Sequence, residues 1–380
     1  MTAEMRGPLQ VARRAQLLEA LQRDGALRVS DLSAALGAAA VTIRRDIAQL
    51  AAEGLVRRVH GGVALIAQSD PPAIPAQPTP VTAEEALSTE QSLAGRSVGM
   101  LVPSLDYYYP DVARGAEEAA RELEMRLVLR GSSYETEDDR PQLGRLVDRT
   151  HVDALVVAPR MDAPTTARTL EWLVGTGLPV VLLERTASVG PHHEVMESVV
   201  SDHALGAAIA VRHLVALGHR KVGLVLPRRS PTRPHVQRGW IEASTECGLD
   251  IDATIDIDVP DTWEADFDAV LDDVLDRTLA TGTTALLVHA DAQAIALVQH
   301  CEERHVTVPG DLSIVAYDDE VAGLFSPPLT AVRPPRRSIG RAAIRLVADR
   351  LRDPNLPAHR VIISPSLRVR ESTAPPRKRR

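Results

Sequence analysis

The chain has 380 residues, 44% of them hydrophobic and 25% charged, and a formal net charge of −8. At roughly 100 to 200 residues per domain this predicts two or three globular units, and a near-average composition excludes a wholly disordered or fibrous chain. No apolar run approaches the roughly 18 residues of a membrane span, and Met1 to Gln10 lacks a signal-peptide pattern, so a cytoplasmic protein without a membrane partner is expected.

The charge is uneven. Residues 1–66 hold nine arginines against six acidic residues, a balance of +3 that leaves −11 on the remainder. In this head Leu17, Leu18 and Leu21 define a first helix, and Val29-Ser30-Asp31-Leu32 opens a second with Ser30 as N-cap and Gly37 as its stop. In a third helix Ile43, Ile47 and Leu50 recur at i, i+4 and i+7 and predict a buried stripe. Val41, Arg45, Ala48 and Gln49 then face away, with Thr42 and Arg44 on the flanks. A small cationic face of this kind fits a DNA major groove, where arginine pairs bidentately with guanine. Leu55 to Val59 and Val63 to Leu65 flank His60-Gly61-Gly62 and predict a tight hairpin, a wing carrying Arg57 and Arg58. Asp46 reads as orienting an arginine, since a bare carboxylate near phosphate is repelled.

Pro71, Pro72, Pro75, Pro78 and Pro80 then interrupt any helix or sheet. The expected division is a reader at residues 9–66 and a linker at 67–96. From Val98 short valine-rich runs alternate with amphipathic segments, the pattern of βα units around a parallel sheet. Strands are expected at 98–102, 127–130, 154–158, 180–183, 199–201, 222–226, 285–288 and 314–316. Helices are expected between them, among them 113–125, 205–217 and 293–304. Cys247 and Cys301 are too few for a disulfide framework or a cysteine metal cluster, and neither His192-His193 nor His213 with His219 has the helical i, i+4 spacing of zinc ligands. Neither GxGxxG after the first strand, nor GxxxxGK[ST], nor GxSxG occurs, so no catalytic residue, metal or cofactor is expected.

Thr42-Ile43-Arg44-Arg45-Asp46-Ile47 followed by Glu53-Gly54-Leu55-Val56-Arg57-Arg58-Val59-His60-Gly61-Gly62 resembles the DeoR-type winged helix-turn-helix. The resemblance implies a recognition helix around 42–50 and DNA contacts from Val41, Thr42, Arg44, Arg45, Gln49, Arg57, Arg58 and His60. This chain has Ala39 where that family usually places a serine at the helix start, which removes a capping hydroxyl worth about 1 kcal/mol.

Residues 98–372 are similar to the LacI/GalR-type regulatory domain, itself like the periplasmic sugar-binding proteins. The resemblance rests on Val98-Gly99-Met100-Leu101-Val102-Pro103, Val152-Asp153-Ala154-Leu155-Val156-Val157 and Leu217-Gly218-His219-Arg220-Lys221-Val222. It is carried further by Val308-Pro309-Gly310-Asp311-Leu312-Ser313-Ile314-Val315-Ala316-Tyr317-Asp318-Asp319 and Pro328-Leu329-Thr330-Ala331-Val332. It implies an α/β fold in which two lobes close on an effector, joined to the winged helix-turn-helix: lobe one at about 97–200 and 318–350, lobe two at about 202–317 and 353–372. Residues 373–380 are expected as a basic tail. Position matching nominates Tyr108, Tyr109, Asp202 and Asp291 for effector contact. Three of the five tyrosines sit together at 107–109, an unusual use of aromatics for a chain that fills its elements with Val, Leu and Ala. Asp291 reads equally as a helix cap, and Asp202 reads more as a cap than as a contact. The family's effector-gripping arginine, three residues before a Gly-aromatic pair, is replaced by Val236 ahead of Gly239-Trp240, with Arg233 and Arg238 as the candidates to compensate. Trp263 reads as a stacking wall or as core. Leu93-Ala94-Gly95-Arg96 faintly echoes the minor-groove hinge helix of LacI-type proteins, a role the proline linker opposes.

Together these features predict a nucleoid-associated, sequence-specific transcriptional regulator, a repressor controlled by a small-molecule effector such as a sugar. A homodimer on a double-stranded DNA operator follows, because two heads double the phosphate contacts. The alternatives are a sugar-binding receptor and a sugar-processing enzyme with a regulatory head.

Overall fold

The computed structural model describes residues 10–38, 40–52, 55–59, 62–65, 92–134 and 136–377. The head runs through α1 (Gln10–Asp24), β1 (Ala26–Arg28), α2 (Val29–Leu36), α3 (Ala40–Ala52), β2 (Val56–Val59) and β3 (Gly62–Leu65). Its sheet has the order β1-β3-β2, so the expected hairpin gains a third strand. Gly37 ends α2 with φ 60°, a left-handed cap that glycine adopts without steric penalty. The start of α2 corrects the expectation: the helix begins at Val29, Arg28 occupies the N-cap, and Ser30 lies within the first turn. The cause is β1, which pairs with β3 as far as Arg28 and leads straight into the helix. Ile43, Ile47 and Leu50 are buried with Leu17, Leu21 and Leu32 in one core. Asp46, 1% exposed, accepts from Arg13 Nε at 2.6 Å and Arg14 Nε at 3.5 Å, so the carboxylate orients arginines of α1 and fixes α3 against it.

Among the described residues the body contains two six-stranded sheets and one small two-stranded hairpin. Lobe one comprises β4 (Ser97–Val102), α4 (Tyr109–Glu122), β5 (Arg126–Gly131), α5 (Arg140–Thr150), β6 (Ala154–Val157), α6 (Thr166–Gly175) and β7 (Val180–Leu183). After a small hairpin, β8 (Ser188–Val189) and β9 (Glu194–Val195), β10 (Glu197–Ser201) completes this stretch. Lobe two comprises α7 (His203–Ala216), β11 (Val222–Pro227), α8 (Arg233–Glu246), β12 (Asp256–Val259), α9 (Phe267–Thr281), β13 (Ala285–Val288), α10 (Asp291–Glu303), β14 (Ser313–Tyr317) and β15 (Thr330–Arg333). The chain then returns to lobe one with α11 (Arg336–Arg352) and β16 (Arg360–Ile363), and crosses again to β17 (Ser366–Arg368). The sheet orders are β16-β10-β7-β6-β4-β5 and β12-β11-β13-β14-β15-β17. Every pair is parallel except β15 with β17. β4 and β11 are buried along their whole length, and apart from Ser97 they are apolar, because helices cover both faces.

The lobe boundaries need correction. Residues 318–333 stay with lobe two, because β15 pairs with β14, and 353–363 belong to lobe one, because β16 pairs with β10. The crossings therefore lie at 201–203, 333–336 and 363–366. The expected linker is outside the described residues up to position 91, but its end is not free: Leu93 is buried in the lobe-one core and Arg96 pairs with Asp153 at 2.7 Å, in a turn rather than a hinge helix. Nor are 373–377 a tail. Ile314 donates to the Ser372 carbonyl at 2.9 Å, the His219 ring lies 2.9 Å from the Ala374 carbonyl, and Arg377 pairs with Asp311 at 2.8 Å. Residues 378–380 lie outside the described residues. Cys301 is buried and Cys247 half-buried.

Each lobe is closed next to the crossings by helices that meet backbone to backbone. A β-carbon on Gly340 of α11 would lie 1.9 Å from the Val112 carbonyl oxygen, and one on Gly239 of α8 would lie 2.0 Å from that of Ala204. By contrast, one on Gly144 of α5 would have its nearest neighbour at 3.8 Å. Gly340→Ala and Gly239→Ala are therefore expected to destabilise the protein by about 2–3 kcal/mol through overpacking. Gly144→Ala should be neutral or stabilising by up to about 1 kcal/mol. Urea unfolding of the three variants beside wild type checks the contrast; equal midpoints would refute it.

Candidate functional site

On the head, Val41, Thr42, Arg44, Arg45 and Gln49 all belong to α3, and Arg57 and Arg58 to β2. Arg45 and Gln49 are exposed and Thr42 is half-buried, the arrangement the buried stripe dictates. His60, Ala39 and the side chains of Val41, Arg44, Arg57 and Arg58 lie outside the described residues.

Between the lobes the strand ends carry a buried polar network. Glu184, after β7, accepts from the Tyr108 hydroxyl at 2.5 Å, the Ser201 hydroxyl at 2.7 Å and the Ser201 amide at 2.8 Å. Its carboxylate also lies 3.5 Å from His203 Nε2. Burial alone would raise its pKa, but the His203, Ser201 and Tyr108 contacts hold it down at about 2. The other His203 nitrogen lies 3.1 Å from the Tyr317 hydroxyl. Across the cleft the Tyr107 hydroxyl donates to Asp318 at 3.1 Å, and His289 Nε2 lies 3.9 Å from the same carboxylate. Burial pushes Asp318 up to about 6 and His289 down to about 3. Tyr108 thus reaches the network, whereas Tyr109, 2% exposed, packs into the lobe-one core.

The remaining nominees are dispersed. Asp202 is the N-cap of α7, accepting from the Leu205 amide at 2.9 Å. Asp291 is fully buried; its oxygens accept from the amides of Asp319, Glu320, Val321 and Ala322 at 2.6–3.1 Å, which organises the turn after β14 instead of facing the cleft. Burial, with the nearby Asp318 charge, raises its pKa to about 6 against the Val321, Ala322 and Glu320 amides. Arg233 forks onto Asp258 at 2.8 and 2.7 Å, and Arg238 lies exposed on α8, 3.9 Å from Glu242. Val236 is core. Trp263, 76% exposed, is not core. Sequence reasoning missed Glu184, His203, His289 and Asp318. Each is a polar residue directly at the carboxyl end of a strand or crossing, which is the signal that could have found them.

Residues 13–69 match a DeoR-like helix-turn-helix domain, and residues 211–373 match a periplasmic binding protein-like domain. The chain is 26% identical over 281 residues to the HTH-type transcriptional regulator DegA of Bacillus subtilis, covering 73% of this chain and 81% of that one. It is 27% identical over 282 residues to the HTH-type transcriptional repressor PurR of Photobacterium profundum, with the same coverage. A LacI family transcriptional regulator from Enterococcus faecium, solved with bound ribose, superposes with a TM-score of 0.60 at 24% identity, over 74% of this chain and 99% of that chain.

Asp318 gives the cleft a pH dependence. Its folded pKa of about 6 exceeds the roughly 3.9 of an unfolded aspartate, so the native state holds the extra proton between those values. Its contribution to stability is present below about pH 4 and is lost as pH rises through 6. Asp318→Asn removes the ionisation. Relative to wild type, the variant should therefore gain about 1–3 kcal/mol on going from about pH 4.5 to 7.5. Thermal unfolding of both proteins at both pH values measures it, and a constant difference would exclude this linkage.

Proposed function

Because a DeoR-like helix-turn-helix head is joined here to a periplasmic-binding-protein-like body of the LacI type, we infer that the protein is a sequence-specific transcriptional regulator, a repressor switched by a small-molecule effector. The observation that carries this reading is the pairing of an exposed, arginine-bearing helix face with two lobes whose polar side chains meet across their crossings. Residues 9–66 read DNA, with Val41, Thr42, Arg44, Arg45, Gln49, Arg57, Arg58 and His60 at the interface. The ribose in the E. faecium structure supports a sugar as effector. Tyr108 is its contact among the residues first nominated, with Trp263 as an exposed rim residue.

Binding of an effector changes the angle between lobes, and through the linker the spacing of two heads in a homodimer; by reciprocity, effector and operator alter each other's affinity by the same factor. The body's acidic balance keeps nonspecific DNA contact confined to the head. The receptor and enzyme alternatives lack support from the relatives, which are transcriptional regulators.

Fluorescence anisotropy on the DNA upstream of the protein's own gene tests the reading. Saturable binding should weaken steeply with salt, and Arg44→Ala with Arg45→Ala should lower affinity at least about tenfold and flatten the salt slope by one to two contacts. Undiminished binding by the double variant would remove α3 from the interface.

A further inference from the structure

We infer that the effector carries no negative charge: it is a neutral or amine-bearing hydrogen-bond donor, recognised through the imidazole of His289 and the carboxylate of Asp318. This deepens the regulator reading above and rests on it. His289 is 5% exposed, and its Nδ1 is buried without a hydrogen-bond partner. Buried polar atoms are nearly always satisfied, so such an atom at the mouth of a strand in a ligand-binding fold marks a place for a ligand group. The ring is held beside Tyr317, with centroids 5.1 Å apart, and 3.9 Å from Asp318. One Asp318 oxygen accepts from Tyr107, a residue that is itself 37% exposed and can give way.

The charges around this point are acidic or already engaged. Asp318 is a buried carboxylate 3.9 Å from the ring, and the second buried carboxylate of the network, Glu184, is paired with His203. Arg185 donates to the carbonyls of Pro159 and Glu184 at 3.2 and 2.7 Å. Arg336 donates to the Asp318 carbonyl and pairs with Glu320 at 3.2 Å. Arg333 and Arg370 both hold Asp319. On α8, position 236 is a valine buried in the core and supplies no charge. Arg229, on the loop after β11, is exposed and outside this buried floor. A phosphate or carboxylate placed beside His289 would meet the like charge of Asp318 in a medium that screens poorly, whereas hydroxyl or ammonium protons would meet acceptors.

The test uses the full chain, with thermal shift and calorimetry against six probes: D-glucose, D-ribose, D-glucosamine, glucose 6-phosphate, ribose 5-phosphate and D-glucuronate. A neutral or amino sugar should bind, with its phosphate or uronate counterpart at least tenfold weaker. Tighter binding by a phosphate or uronate would overturn the inference and leave effector binding intact. Silence from all six would overturn the carbohydrate reading together with the inference. For the sugar that binds, His289→Leu should weaken affinity at least tenfold and His289→Asn should restore part of it, while both keep the wild-type melting temperature without sugar to within a few degrees. Unchanged affinity in His289→Leu would remove His289 from the site.

Discussion

Where β14 ends, the chain turns through Asp318 and Asp319 with φ of 96° and 53°, a region of backbone space that ordinary residues avoid. The turn persists because its polar groups are taken on every side. The buried Asp291 carboxylate receives its amides, Arg333 and Arg370 clamp the Asp319 side chain at 2.6 and 2.8 Å, and Arg336 holds its carbonyls. Those partners come from both lobes. Asp291 and Arg370 belong to lobe two, while Arg336 opens α11 of lobe one; Tyr107 and the Tyr108 amide reach the same turn from the loop after β4. One irregular turn is therefore a common part of two otherwise separate sheets, and a shift in their angle must rearrange its contacts.

Low local dielectric makes these contacts consequential. A buried carboxylate is tolerated only with donors around it, and Glu184, Asp291 and Asp319 each have two or more. The same rule operates in the head on a smaller scale. Asp46 is as buried as any core leucine, and its two arginine partners from α1 set the pose of the helix whose opposite face is exposed. In both places a buried acid fixes the position of the side chains and amides that bond to it.

How legible this was depended on the range of the interactions. The stripe Ile43, Ile47, Leu50, the Gly37 stop and the valine-rich strands are local patterns, and they sit where periodicity places them. The start of α2 was misread because Ser30 is a good cap in isolation, while β1 pairing with β3 moves the helix boundary back to Val29. The lobe of β15 to β17 is decided by which strand lies alongside, not by anything within the segment. The cleft residues were hardest. Tyr107 and Asp318 meet across 211 positions and Tyr108 and Glu184 across 76, so no window of sequence contains either pair. Arg233 and Arg238 were nominated by charge, and acidic neighbours on the same lobe account for both.

The packing of 366–377 against β14 and β15 sets an order of assembly during synthesis. Lobe two opens with α7 and β11, yet its sheet is finished only by β17, and the Ser372 hydroxyl donates to the Ile314 carbonyl and accepts from the Thr330 amide in adjacent strands. The head, by contrast, draws every described core contact from residues 17–63. Since domains form as units while the chain emerges from the ribosome, the head is complete while lobe two still lacks its last strand. In each newly made molecule the helix-turn-helix is thus formed before the sheet of the second lobe is closed.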